Sequence, residues 1–131
     1  VITTSPLLSS ICSEVKPNDR SYHADPRTLN VPYIGKILTS SDYDWFDIYV
    51  SSVMTIRFKL IVPAGLDYDL QLHGPDSSNP SQHFLKGSYN PAGQNVSITW
   101  TTTATGYLAI EIYGYRGTYS TTETYTITHT Q

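Results

Sequence analysis

The stretch Met54 to Val62, MTIRFKLIV, puts Met54, Ile56, Phe58, Leu60 and Val62 at every second position, with Thr55, Arg57, Lys59 and Ile61 between them. Side chains alternate across a strand, so this pattern makes one apolar face and one polar face. On a helix the same residues would be split between opposite sides. A chain with such a strand must bury its apolar face, and other segments repeat the pattern. WFDIYV (45–50) puts Phe46, Ile48 and Val50 on one side and Asp47 and Tyr49 on the other. DYDLQLH (67–73) turns Tyr68, Leu70 and Leu72 inward and Asp67, Asp69 and Gln71 outward. NVSITW (95–100) buries Val96, Ile98 and Trp100. GYLAIEIYGY (106–115) buries Leu108, Ile110 and Ile112, and ETYTITHT (123–130) buries Tyr125 and Ile127. YIGKIL (33–38) is a shorter strand, and GPDSSNPS (74–81) is a loop by composition. About eight short strands with turn signals between them, and no amphipathic helix, predict an all-β antiparallel sandwich or barrel.

The 131 residues suit one domain. Residues 1–13 are rich in Ser and Thr and read as a linker, which leaves residues 14–131 as a single β-sandwich domain. Glu14 to Arg27, EVKPNDRSYHADPR, is polar with two prolines and reads as loop or a short helical turn. Charged residues make up 15%, against roughly 25% in an ordinary soluble domain. Ser, Thr and eleven tyrosines take their place, as on extracellular binding surfaces. A net charge of −3 offers no basic patch to phosphates and argues against a nucleic-acid partner. No apolar run is long enough to span a bilayer, so no membrane partner is expected. The single cysteine, Cys12, allows no internal disulfide. VITTSPLLSS lacks the basic start and long apolar run of a signal peptide, and a start at Val1 reads as a piece of a longer chain.

Catalytic signatures are missing from the sequence. It has no GxSxG, no HExxH and no glycine-rich phosphate loop. His23, His73, His83 and His129 are scattered, without metal-ligand spacing. The carboxylate pairs Asp42/Asp44 and Asp67/Asp69 could each point one way from a strand. With nothing around them to suggest a cleft, solvated strand edges are expected. The chain therefore reads as a non-enzyme. The sequon NVS at Asn95 falls inside a predicted strand and carries little weight.

Two surfaces remain. With Leu108, Ile110 and Ile112 inward, Tyr107, Tyr113 and Tyr115 point outward, and Tyr119 extends the group. Tyr113 and Tyr115 would stand side by side across Gly114. Such tyrosines can hold a sugar or an extended polypeptide, or they can cover the sheet by cross-strand pairing. The second surface is acidic. Glu14, Asn18 and Asp19 precede the first strands, and Asp42 and Asp44 open another. Such oxygen donors suit Ca²⁺, but the spacing matches no EF-hand loop and equally describes solvated acids.

In order along the chain, EVKPND, GKILTSSDYDWFDIYV, LDYDLQLHGP and GYLAIEIYGYRGTYSTTETYTIT resemble the bacterial pre-peptidase C-terminal domain, and are similar to the collagen-binding domains of clostridial collagenases. The resemblance runs from about Glu14 to Thr128. It implies a jelly-roll-like β-sandwich, non-catalytic, attached to a secreted hydrolase, mostly a peptidase. It implies calcium ligands at Glu14, Asn18, Asp19, Asp42 and Asp44. Lys16 stands where the family has a second Glu, which removes a ligand and adds a repelling charge. Ligand contact falls on Tyr113 and Tyr115, with Gly114 between them, and the family's paired tyrosines become Leu108 and Ala109. Asp42 and Asp44 would face the lead-in segment, Phe46 would enter the core and Trp45 would pack beneath the lead-in loop. The expected partners are a parent catalytic domain in the same chain and an extracellular polymer, for a secreted monomer. A protein fibre is the first choice and a polysaccharide the second, as for a carbohydrate-binding module of a glycoside hydrolase. A further alternative is a C-terminal secretion or folding module, removed on maturation, with no external ligand.

Overall fold

In a computed structural model the chain is described over residues 12–20, 24–74, 84–102 and 105–131. These residues form ten strands: β1 (Cys12–Ser13), β2 (Asp25–Arg27), β3 (Tyr33–Gly35), β4 (Tyr43–Val50), β5 (Thr55–Ile61), β6 (Tyr68–His73), β7 (Phe84–Ser88), β8 (Val96–Thr101), β9 (Gly106–Gly114) and β10 (Tyr125–Thr130). A 3₁₀ turn, Tyr115–Gly117, follows β9. The strands make a β-sandwich of two five-stranded sheets. The first runs β1-β3-β10-β5-β8 and the second β2-β4-β9-β6-β7.

The alternation read from the sequence sets the faces. Phe46, Ile48 and Val50 from β4 meet Ile56, Phe58 and Leu60 from β5, all at most 2% exposed. Tyr68, Leu70 and Leu72 of β6 and Leu108, Ile110 and Ile112 of β9 complete the layer. Burying each such side chain contributes about 1.5–3 kcal/mol, so this layer is the main stabilising term. Trp100 is only partly buried at the core margin, less than its place in the alternation implies.

Three differences from the sequence reading concern strands with weak patterns. β1 lies inside the expected linker; the rest of that linker, residues 1–11, lies outside the described residues. β2 occupies ground read as loop, and carries Pro26 as an edge strand that, among the described residues, is bonded only to β4. β7, FLKGS, was not anticipated, since it lacks a clean alternation. From residue 75 on, the loop expected at 74–81 lies outside the described residues. The sandwich is also not purely antiparallel, because β1 pairs with β3 and β2 with β4 in parallel.

Those two parallel pairs position the lead-in segment. β1 ends on the edge of the first sheet and β2 begins on the edge of the second. Residues 14–20 therefore pass from one sheet to the other along one side of the sandwich. The backbone of Trp45 donates to the Asn18 carbonyl at 2.8 Å, and Glu14 donates to the Ile34 carbonyl at 2.8 Å, which ties the segment to both sheets.

Candidate functional site

Asp42 and Asp44 continue the inward face of β4 and are 7% and 0% exposed, so the expected solvated strand edge is not what forms. Register explains this: Phe46 is inward, and residues two and four positions earlier must follow it. Tyr125, from β10 of the opposite sheet, donates its hydroxyl to Asp44 Oδ2 at 2.6 Å. Lys16 reaches the other oxygen, with Nζ 2.8 Å from Asp44 Oδ1, and bonds both oxygens of Asp42 at 2.9 and 3.0 Å. Glu14 Oε2 lies 3.5 Å from the same nitrogen. Glu14 also accepts from the Lys36 backbone at 2.7 Å, and Asp42 from the Leu38 backbone at 2.7 Å.

The five residues proposed as metal ligands thus converge. Carboxylate oxygens of Asp19, Asp42 and Asp44 lie within 4.8 Å of one another, and Asn18, fully buried, donates to Glu14 Oε2 at 3.2 Å. The Asn18 Oδ1 atom has no partner among the described residues. Burial, and next the charge of Glu14, push the Asp44 pKa upward, while the bonds from Lys16 and Tyr125 pull it back. Burial alone would lower the Lys16 pKa, but its hydrogen bond to Asp44 and the charge of Asp44 outweigh this and raise it. Both Asp44 oxygens accept from donors, as an ionised carboxylate does. A calcium ion bound to these oxygens would need them at about 2.3–2.6 Å, in space that the ammonium fills. With Lys16 seated this way the cluster does not fit a divalent cation.

The second candidate surface is the outer face of the second sheet. Its rows follow from register: Tyr43 opposite Tyr113 opposite Asp69; Trp45 opposite Glu111 opposite Gln71; Asp47 opposite Ala109 opposite His73; Tyr49 opposite Tyr107. The Tyr43 and Tyr113 rings stack with centroids 5.8 Å apart, and Tyr49 meets Tyr107 edge-on at 5.2 Å. Between these pairs the Trp45 ring lies 5.0 Å from His73, and Phe84 adds an edge contact to His73 at 5.8 Å. Ala109, with no exposed surface, leaves room for that crossing of β9. Gln71 Nε2 donates to the hydroxyls of Tyr89, at 3.1 Å, and Tyr113, at 3.4 Å. His73 Nε2 lies 3.3 Å from Glu111.

The tyrosines picked from the sequence are placed differently from a single stripe. Tyr113 and Tyr107 share the face but stand six residues apart on β9, roughly 20 Å at a strand's rise. Tyr115 is not beside Tyr113 on the strand; the strand ends at Gly114 and Tyr115 opens the 3₁₀ turn. Gly114 is required there because a Cβ would lie 1.8 Å from the Thr118 carbonyl oxygen. Tyr119 is exposed in the following loop, with no stacking partner among the described residues. Trp45 is outward, with its ring against His73. Tyr43, Trp45, Tyr49 and Phe84 were missed as members of the face; alternation on β4 could have supplied the first three.

No family model matches the sequence, and no curated protein matches it. Among solved structures, the chain is similar to the pre-peptidase C-terminal domain of collagenase from Bacillus anthracis, with a TM-score of 0.63 and 18% identity over 81% of this chain and 93% of that one. It is also similar to CorA, a surface-associated copper-binding protein of Methylomicrobium album BG8, with a TM-score of 0.54 and 9% identity over 91% of this chain and 99% of that one. These likenesses show the fold: the chain folds as a pre-peptidase C-terminal domain does.

Proposed function

We propose that this chain is a non-catalytic accessory domain of a secreted bacterial hydrolase, in the first place a peptidase, and that it holds the parent enzyme on an extracellular polymer. The carrying observation is the outer face of the second sheet, where Tyr43, Trp45, Tyr49, Tyr107 and Tyr113 give an aromatic surface framed by hydrogen-bonding side chains. Tyr49 is 55% exposed and Tyr43 41%, so rings remain free for contact despite their cross-strand pairing. Aromatic rings supply contact area at low entropic cost and dominate binding surfaces of this kind. The fold likeness to a collagenase domain supports a peptidase as parent and a protein fibre as polymer.

The lead-in segment is held in this proposal by Lys16 in place of calcium. The ammonium satisfies Asp42 and Asp44 from within the chain, so docking of the segment needs no ion.

Retention of the isolated chain on insoluble collagen, cellulose, chitin and xylan tests the binding role. Retention on collagen that Tyr43→Ala/Tyr113→Ala abolishes, with the melting transition kept, supports a protein-fibre anchor. Retention on a glycan alone makes the domain a carbohydrate-binding module. No retention on any of them favours a folding or secretion module.

A further inference from the structure

Beyond Tyr113 the aromatic face ends in a cavity of about 320 Å³, lined by Asp67, Asp69, Tyr89, Asn90, Pro91 and Tyr115. That size lies at the lower end of ligand pockets, roughly 300–1,000 Å³. Three separate pieces of chain build it. Asp67 and Asp69 come from the start of β6, Tyr89 to Pro91 from the turn after β7, and Tyr115 from the 3₁₀ turn after β9. Its walls are fixed, since the Tyr115 backbone donates to the Asp67 carbonyl at 2.8 Å, the Tyr89 hydroxyl accepts from Gln71 and the Asn90 amide donates to the Asn95 carbonyl at 2.6 Å.

The chemistry of the cavity is incomplete as it stands. Asp69 is 2% exposed and lines the cavity, yet among the described residues its carboxylate has neither a hydrogen-bond donor nor a cation. Asp67, two residues earlier, makes no ion pair among the described residues either. Arg116 lies over the ring of Tyr115, 5.2 Å from its centroid, and pairs with neither acid. A carboxylate taken out of water without a partner is costly, and the group that would relieve it is a cation. Burial, and next the charge of Asp67, push the Asp69 carboxyl up to about 6. Tyr89 and Tyr115 offer ring faces that attract cations, and Pro91 offers an apolar wall for an aliphatic stem.

We propose that this cavity receives a lysine or arginine side chain from the polypeptide lying across the tyrosine face. The stem would run along Pro91 and the tyrosines, and the charged head would meet Asp69 and Asp67. The register places Asp69 directly opposite Tyr113, so the cavity and the stacked Tyr43/Tyr113 pair form one continuous surface. This deepens the proposed anchoring role and rests on it for the source of the side chain. It selects a basic polypeptide over a neutral glycan, because only a long basic side chain brings both a stem and a charge to a buried carboxylate.

The test is an NMR titration of the isotope-labelled chain with Nα-acetyl-lysine methylamide, Nα-acetyl-arginine methylamide, Nα-acetyl-norleucine methylamide and glucosamine. Saturable shifts at Asp69, Tyr89 and Tyr115 are expected with the lysine or arginine compound, weakened roughly tenfold or more with norleucine, which keeps the stem and lacks the charge. Asp69→Asn should abolish them and should also raise the melting temperature of the free chain at neutral pH, a readout that confirms folding. Asp67→Asn gives a second, milder variant. Equal shifts with norleucine, undiminished binding in both variants, binding of glucosamine alone, or no shift at all would each overturn the proposal. Collagen retention separates it from the wider reading. If Asp69→Asn is retained as well as the parent chain while Tyr43→Ala/Tyr113→Ala is not, the cavity assignment fails and the face stands. If the lysine compound saturates the cavity but no polymer is retained, the anchoring role fails and the cation site stands.

Discussion

Lys16 places its ammonium nitrogen 2.8 Å from Oδ1 of Asp44, a side chain with no exposed surface, whose other oxygen is held by Tyr125 from the opposite sheet. One buried carboxylate thereby joins three pieces of structure: the lead-in segment, β4 and β10. Removing the lysine leaves Asp44 buried without its counter-charge. Lys16→Met should cost roughly 3 kcal/mol, at the low end for breaking a buried pair because the lysine side chain is 29% exposed. Denaturant unfolding measures this.

Calcium separates the lysine-held segment from a metal-held one. The melting temperature of the parent chain should be the same with millimolar Ca²⁺ and with chelator, while Lys16→Glu should melt low in chelator and recover with Ca²⁺. A rise in the melting temperature of the unaltered chain with Ca²⁺ would instead make the unpartnered Asn18 Oδ1 a ligand and return the cluster to a metal role.

The Tyr125 hydroxyl is the only inter-sheet hydrogen bond to Asp44 among the described residues, so Tyr125→Phe should cost about 1.5–3 kcal/mol, as expected for a bond to a charged group. Gly35→Ala probes the same region from the backbone. A Cβ there would lie 2.4 Å from the Tyr125 hydroxyl and 2.9 Å from Glu14 Cδ, two groups held in place by their own bonds. Overpacking should cost roughly 1–3 kcal/mol. A Gly35→Ala chain as stable as the parent would show that the cluster is looser than these distances imply.

His129 gives the acid limb of stability. It is 2% exposed, stacked on Tyr33 at 5.6 Å, and neither ring nitrogen has a partner among the described residues. Burial pushes its pKa from 6.5 down to about 4, with a smaller push from Arg27. The unfolded chain takes up this proton at higher pH than the folded chain, so its contribution to stability is full above about 6.5 and is lost as pH falls toward 4. The loss is on the order of 3 kcal/mol at its end. Asp47 and Asp69, whose carboxyls burial raises to about 6, act in the opposite sense, losing stability as pH rises from the ordinary carboxylate range to about 6. The clean observable is therefore a difference: the stability gap between His129→Phe and the parent should shift in favour of the variant as pH drops from 6.5 to 4. A gap that stays constant would mean His129 is already hydrated in the fold.

Much of the sandwich is legible in single segments. In MTIRFKLIV, LQL and LAIEI, period two is a local property, and a strand with one apolar face is its only consistent reading. β1 and β2 were not legible, because two- and three-residue edge strands such as Cys12–Ser13 and Asp25–Arg27 have no periodicity of their own and exist through their partners β3 and β4. Trp45 shows the same limit at one residue. Alternation puts it opposite Phe46, but its stacking on His73 depends on Ala109 from a third strand.

The sequence by itself determined the longer strands with a clean alternation, their inward faces, the aromatic character of the outer surface and the set of oxygen donors around the lead-in segment. All of these follow from residue type and spacing along one strand. Tertiary structure alone decided that Asp42 and Asp44 are buried, that Lys16 lies among them, that Tyr43 pairs with Tyr113 where Tyr115 does not, and that Asp69 lines a cavity with Asp67 and Tyr115. Each of those joins residues far apart in the chain. The free energy of a charge depends on what surrounds it, and folding, not local sequence, sets those surroundings.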